Sequence, residues 1–298
     1  MANEWRGKSR GSVLGYKIFV FCIKNFGVRS AYFLLYFVAL YFCFFSGKNT
    51  RAIFYYLHKR RHYSWFKSVI NVYKSYYVFG QTIIDKVAIP SGLRNKFNYQ
   101  FDGIEQIEAA LQQKKGGILI SAHVGNFEIA EFFLNEVDEK AGISLLTTDE
   151  EHREIKEYLE RFTKKTNTRF IIIKNDLSHI FEINAALARN EIICITGDRY
   201  IKEAKHMTAD LMGQEARFPA GPFLIGSRLQ IPVLFVYVMK HSATKYNLYA
   251  RTVVVKNRDA QDLLDKYVHS LEWILEKYPL QWFNYFDFWN DLKSHDKE

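Results

Sequence analysis

From residue 97 onward the chain alternates short apolar runs with longer stretches whose apolar residues recur every three or four positions. The runs read as strands: FNYQFDG, GGILISA, GISLLTT, RFIIIK and EIICITG, then IPVLFVYVMK and YNLYARTVVV back to back. The interleaved stretches read as helices: IEQIEAALQQKK, FEIAEFFLNEV, EEHREIKEYLERFTKKT, LSHIFEINAALARN, PAGPFLIGSRLQ and AQDLLDKYVHSLEWILEKY. In PAGPFLIGSRLQ, Pro219 and Pro222 suit a first helical turn. The alternation predicts an α/β fold, a mainly parallel mixed sheet flanked by helices, with an antiparallel pair late in the chain. Sites in open sheets of this kind lie at the carboxyl ends of strands, where both His123 and Asp198 fall.

Ahead of this alternation the pattern changes. Residues 30–47, SAYFLLYFVALYFCFFSG, carry no charge over eighteen positions. As a helix this segment is about 27 Å long, close to the roughly 30 Å hydrocarbon thickness of a bilayer. Arg29 and Lys48 bracket it, and RAIFYYLHKRRHYSWFKS follows. The net charge of +9 is concentrated here: up to Ile84 there are thirteen Lys/Arg against one acid, Glu4, together with 23 of the 49 aromatics. Cationic, aromatic flanks around an uncharged run suit an anionic membrane surface better than a nucleic acid. The run starts too far from the N-terminus, and lacks the small-residue site, for a cleaved signal peptide. Basic residues on both sides leave open whether it spans the bilayer or lies in its surface. AIPSGLRNKF reads as a boundary, dividing a membrane-anchoring helical region (1–90) from an α/β domain (91–298). Three scattered cysteines, Cys22, Cys43 and Cys194, form neither a disulfide framework nor a metal-ligand spacing.

Candidate chemistry sits in GGILISAHVGNFEIAEFF. His123 follows a buried strand, Gly125 permits a turn, Asn126 is a good helix cap, and Glu128 enters the next helix. The five-residue spacing alone means little, because His152 and Glu157 share it within one continuous helical pattern. There it turns the side chains about 140° out of alignment. Across a strand-to-helix turn, a histidine faces back toward a carboxylate that fixes its tautomer while it takes a proton from a hydroxyl. The competing reading is a histidine at a strand end beside a glutamate that complements a helix dipole. From the residues alone both stand.

HVGNFE, with a strand before it and a helix after, resembles the H-x4-D/E block of glycerolipid-type acyltransferases. More specifically it resembles the bacterial lipid A biosynthesis (lauroyl/myristoyl) acyltransferase family, matching at His123, Gly125, Asn126, Phe127 and Glu128. ITGDRY (195–200), RFPAGPFLIGSRLQIPVLFVYV (217–238) and YPLQWFNYFDFW (278–289) are similar to three later blocks of that family and occur in the same order. The likeness covers nearly all of the chain. It implies a glycerolipid acyltransferase-like fold and transfer of a fatty acyl group from acyl-carrier protein or acyl-CoA to a hydroxyl or amine of a membrane lipid, such as a lipid A precursor.

Under the resemblance His123 is the general base and Glu128 its orienting carboxylate. Oxyanion donors are expected at the backbone of Gly125 and Asn126, or from Arg199 or Arg217, either of which could hold a phosphate instead. Asp198 is expected to position Arg199, and Gly221 lies in the Pro-x-Gly-Pro block of the substrate site. Phe218, Phe223 and the cluster from Trp282 to Trp289 are candidates for an acyl-chain slot or for plain core. No metal and no cofactor beyond the thioester co-substrate is expected, and the place of work is the cytoplasmic side of the bacterial inner membrane. Two rival readings remain: a lipid or thioester hydrolase using the same His–Glu pair, and a non-catalytic membrane-surface scaffold. No G-x-S-x-G turn of a serine hydrolase is present.

Overall fold

The computed structural model describes residues 13–129, 142–147, 168–173, 178–200 and 204–289. Of the helix expected over 127–137 all but its first three residues lies outside them, as does the helix expected over 150–166 with His152 and Glu157. Among the described residues, four N-terminal α-helices come first: α1 (Val13–Phe26), α2 (Val28–Phe45), α3 (Gly47–Tyr55) and α4 (Trp65–Ala88). Then follow β1 (Asn98–Asp102), α5 (Ile104–Gln112), β2 (Gly117–Ser121), β3 (Ile143–Thr147) and β4 (Thr168–Ile172). The remainder is α6 (Ser178–Ala188), β5 (Ile192–Thr196), β6 (His206–Asp210), β7 (Glu215–Pro219), α7 (Ala220–Arg228), β8 (Val233–Ser242), β9 (Lys245–Thr252) and α8 (Ala260–Lys277).

Seven strands form one sheet in the order β1-β9-β8-β2-β5-β3-β4. Its pairs are parallel except β8 with β9, the late antiparallel pair. The central strands are buried on both faces. Ile118 and Ile120 of β2 join one apolar cluster, with α7 and α8, whereas Leu119 joins the other, with α1, α2 and α5. This explains why GGILISA shows no alternation. From β2 the chain leads across β5 to β3, and from β5 it leads back across β2 to β8. The connections thus diverge at the carboxyl ends of β2 and β5, where a crevice opens in sheets of this type.

The N-terminal helices lie on this sheet. Gly80 of α4 meets Leu35 of α2 so closely that a Cβ would fall 2.3 Å from a Leu35 methyl carbon. The β6–β7 hairpin is a feature the pattern did not predict. Its turn places both Met212 (φ 56°) and Gly213 (φ 78°) in the left-handed region. Two-residue hairpin turns ask for that geometry, but Asn or Asp usually fills the first position.

Candidate active site

Ser121 of β2 and Thr196 of β5 are register partners. Two residues further along each strand stand His123 and Asp198, so parallel pairing alone brings two residues 75 positions apart into contact. His123 Nδ1 lies 2.7 Å from Asp198 Oδ1. The same carboxylate accepts the His123 backbone N–H at 3.1 and 3.0 Å. Asp198 is fully buried, whereas the imidazole keeps 29% of its surface exposed. Burial by itself raises a carboxyl's pKa, but the facing imidazole and its hydrogen bonds outweigh this and bring Asp198 down to about 2.

A C-terminal segment completes the carboxylate's shell. Trp282 Nε1 donates to Asp198 Oδ2 at 3.2 Å and Asn284 Nδ2 donates to it at 2.7 Å. Arg199 Nε donates to Asn284 Oδ1 at 2.6 Å, and Arg199 Nη2 to the Phe283 carbonyl at 2.8 Å. Burial lowers the Arg199 guanidinium to about 10, so it remains a cation at neutral pH. The Phe283 N–H closes the ring onto the His123 carbonyl at 2.9 Å. The QWFN segment, read from the chain as part of an aromatic cluster, therefore supplies the groups that hold Asp198. Its signal in the sequence was the similarity of YPLQWFNYFDFW to a family block, which gave no hint of this polar task.

The turn after His123 is fixed with equal care. Gly125 has φ 57°, and a Cβ there would lie 2.1 Å from the Val238 carbonyl oxygen. Gly125→Ala is accordingly expected to lower thermal stability and activity together, because strain and overlap both fall on the turn that carries His123. Thermal melts of the purified variant check this, and a wild-type melt contradicts it. The two N–H groups expected to face an oxyanion are engaged internally: Gly125 N–H donates to the Gln281 carbonyl at 2.9 Å and Asn126 N–H to the Val238 carbonyl at 2.7 Å. Asn126 opens a 3-10 turn, Phe127–Ile129, by accepting the Ile129 N–H at 3.1 Å. Glu128 is the middle residue of that turn.

The structure thus brings His123, Gly125, Asn126, Asp198 and Arg199 into one neighbourhood. Arg217 is exposed on β7, between the inward-facing Ala216 and Phe218, and Gly221 is an exposed residue in the first turn of α7. Phe218 and Phe223 are fully buried against Tyr267, whose hydroxyl donates to the Ser121 carbonyl at 2.9 Å. They are core beneath the strand end that presents His123.

A histidine whose Nδ1 is held by a buried carboxylate has its tautomer fixed, an arrangement chemically suited to taking a proton at Nε2. The family described as bacterial lipid A biosynthesis acyltransferase matches residues 67–289, from the start of α4 through the QWFN segment. The chain belongs to that family and is an acyltransferase acting on lipid. Comparison with curated proteins returns no significant match.

Proposed function

We propose that the protein moves a fatty acyl chain from an acyl thioester, on acyl-carrier protein or CoA, to a hydroxyl or amine of a membrane lipid such as a lipid A precursor. The observation that carries this reading is the 2.7 Å contact between His123 Nδ1 and the buried Asp198 carboxylate. With Nδ1 committed to Asp198, Nε2 takes the proton of the acceptor hydroxyl as its oxygen attacks the thioester carbonyl. The C–O bond forms, the tetrahedral intermediate collapses with loss of the C–S bond, and the proton passes from His123 to the departing thiolate. Asp198 keeps the tautomer fixed and balances the imidazolium. Since Nδ1 carries one proton and Asp198 receives it, Asp198 orients the ring in this account, and Glu128 is the second carboxylate for that task or for complementing the imidazolium. Arg199 acts by holding Asn284 and Phe283 against the dyad.

The membrane side of the proposal rests on α2. Val28, Ala31, Tyr32, Leu35 and Ala39 are buried against the rest of the protein, while Phe33, Phe37, Tyr41 and Phe44 are exposed on the other side. α2 packs one face against α1, α3 and α4 and leaves the other exposed, so in this reading it lies in the bilayer surface and does not cross it. Arg29, Lys48 and Arg51, all exposed, stand beside the stripe where anionic headgroups would meet them. In this reading the enzyme works on the cytoplasmic face of the inner membrane, where its thioester donor is found. Each Phe fully withdrawn from water contributes about 1.5–3 kcal/mol, so Phe33, Phe37 and Phe44 all changed to Ser should lower partition onto anionic vesicles by more than about tenfold. The fold should be unaffected, and vesicle co-sedimentation equal to wild type would refute the interfacial placement.

Lipid mass spectrometry of cells with and without the protein tests the function. The proposal expects one lipid class to lose an acyl-sized mass in its absence, which names acceptor and chain length together. An unchanged lipid profile, with free fatty acid as the product in vitro, would favour a hydrolase.

A further inference from the structure

A second polar cluster lies off the catalytic dyad and inside the protein. Asp85 of α4 and Lys240 of β8 are both buried, with Nζ 2.5 Å from Asp85 Oδ2. The ammonium spends its other two protons on the Tyr32 hydroxyl at 3.0 Å and the Ala243 carbonyl at 2.6 Å. The Tyr32 and Tyr246 hydroxyls donate to the two oxygens of Asp85. Every donor of Lys240 is satisfied, as a buried charge requires. Replacing such a pair by apolar groups is often neutral for stability, so stability alone does not account for it.

What the cluster reaches is the catalytic turn. Asn126 Nδ2 donates to the Tyr246 hydroxyl at 3.3 Å and to the Thr82 carbonyl at 3.0 Å. Lys240 also grips the turn through its backbone. Its N–H donates to Gln281 Oε1 at 3.0 Å and its carbonyl accepts from Gln281 Nε2 at 2.6 Å. The Gln281 carbonyl in turn holds the Gly125 N–H, and the next residue, Trp282, donates to Asp198. One residue of β8 thus fixes the segment after His123 from two directions.

We propose that Asp85, Lys240 and Tyr246 are positioning residues for acyl transfer, which through Asn126 hold the turn that aims His123. The proposal rests on the acyl-transfer reading above. A displacement of about 1 Å at a reacting group can cost on the order of a hundredfold in rate, so a network fixing the turn acts on kcat without touching substrate.

Tyr246→Phe tests this because it removes only the hydroxyl between Asp85 and Asn126 and leaves the ion pair in place. In acyl transfer by the full-length protein in detergent, kcat should fall about tenfold with both KM values and the melting temperature unchanged. Asn126→Ala should lower kcat in the wild-type background and add little in Tyr246→Phe, since coupled residues are non-additive. If Tyr246→Phe melts early, the double variant Asp85→Asn/Lys240→Met replaces it, with the same expected kcat. Wild-type kcat in a folded variant, a change confined to KM, or strictly additive effects would overturn the positioning role. A wild-type protein that forms no acylated lipid overturns the acyl-transfer reading first, and this proposal with it.

Discussion

Purified His123→Ala is expected to fold and to lose acyl transfer by about a thousandfold or more, the scale seen when the base of a nucleophile-activating dyad is removed. The His123 side chain is held on one edge by Asp198 and is partly exposed beyond the carboxyl ends of β2 and β5. No backbone contact of the turn depends on the imidazole: the His123 N–H still reaches Asp198, and its carbonyl still accepts from Phe283. Alanine removes the base and leaves the frame. Circular dichroism and melting together with the transfer assay separate loss of chemistry from loss of fold. Wild-type turnover in a folded His123→Ala protein would remove the general-base assignment.

Asp198→Asn is expected to be the second largest effect, at least about a hundredfold in kcat, because an amide at this position favours the wrong tautomer of His123 and no longer balances the imidazolium. Glu128→Gln should cost less, since the amide leaves the Asp198 contact with Nδ1 untouched. If Glu128→Gln proves the more damaging, Glu128 and not Asp198 is the orienting carboxylate. The carboxyl's depressed pKa adds a stability signature. Its value of about 2 in the folded protein lies below its ordinary 3.8, so the folded state binds the proton less well than the unfolded chain does. The resulting stabilisation, about 2 kcal/mol, is present above about pH 4 and is lost as pH falls toward 2. Denaturant melts should therefore show the gap between wild type and Asp198→Asn narrowing over that range; a gap constant down to pH 2 would contradict it.

The alternation of strands and helices was legible because burial writes itself into sequence. A β2 or β5 buried on both faces must be a continuous apolar run, and α8 must show one apolar stripe. The turn at His123 was legible too, since only glycine suits a φ of 57° with the Val238 carbonyl at its back. The contact of His123 with Asp198 was not. Glu128, five residues away, was the carboxylate the chain offered, whereas Asp198 meets His123 only because β2 and β5 are sheet neighbours, and strand order leaves no mark on either strand. The hairpin at Met212 was hidden by a turn residue that rarely adopts its backbone conformation. The Asp85–Lys240 pair left only a faint trace: Asp85 is the first acid after Glu4, and an acid buried on α4 needs polar partners. Which cation was beyond reach, because Lys240 looks from the chain like the ordinary polar end of an apolar strand.

The most direct test is reconstitution. Purified protein, an acyl thioester of acyl-carrier protein and a lipid A precursor are combined in detergent, and the products are read by mass spectrometry for wild type, His123→Ala and Asp198→Asn. The account predicts an acylated lipid from wild type, formed in step with thiol release, and near-complete loss of it in both variants. Thiol release matched by free fatty acid, or acylated lipid undiminished in the variants, would contradict it.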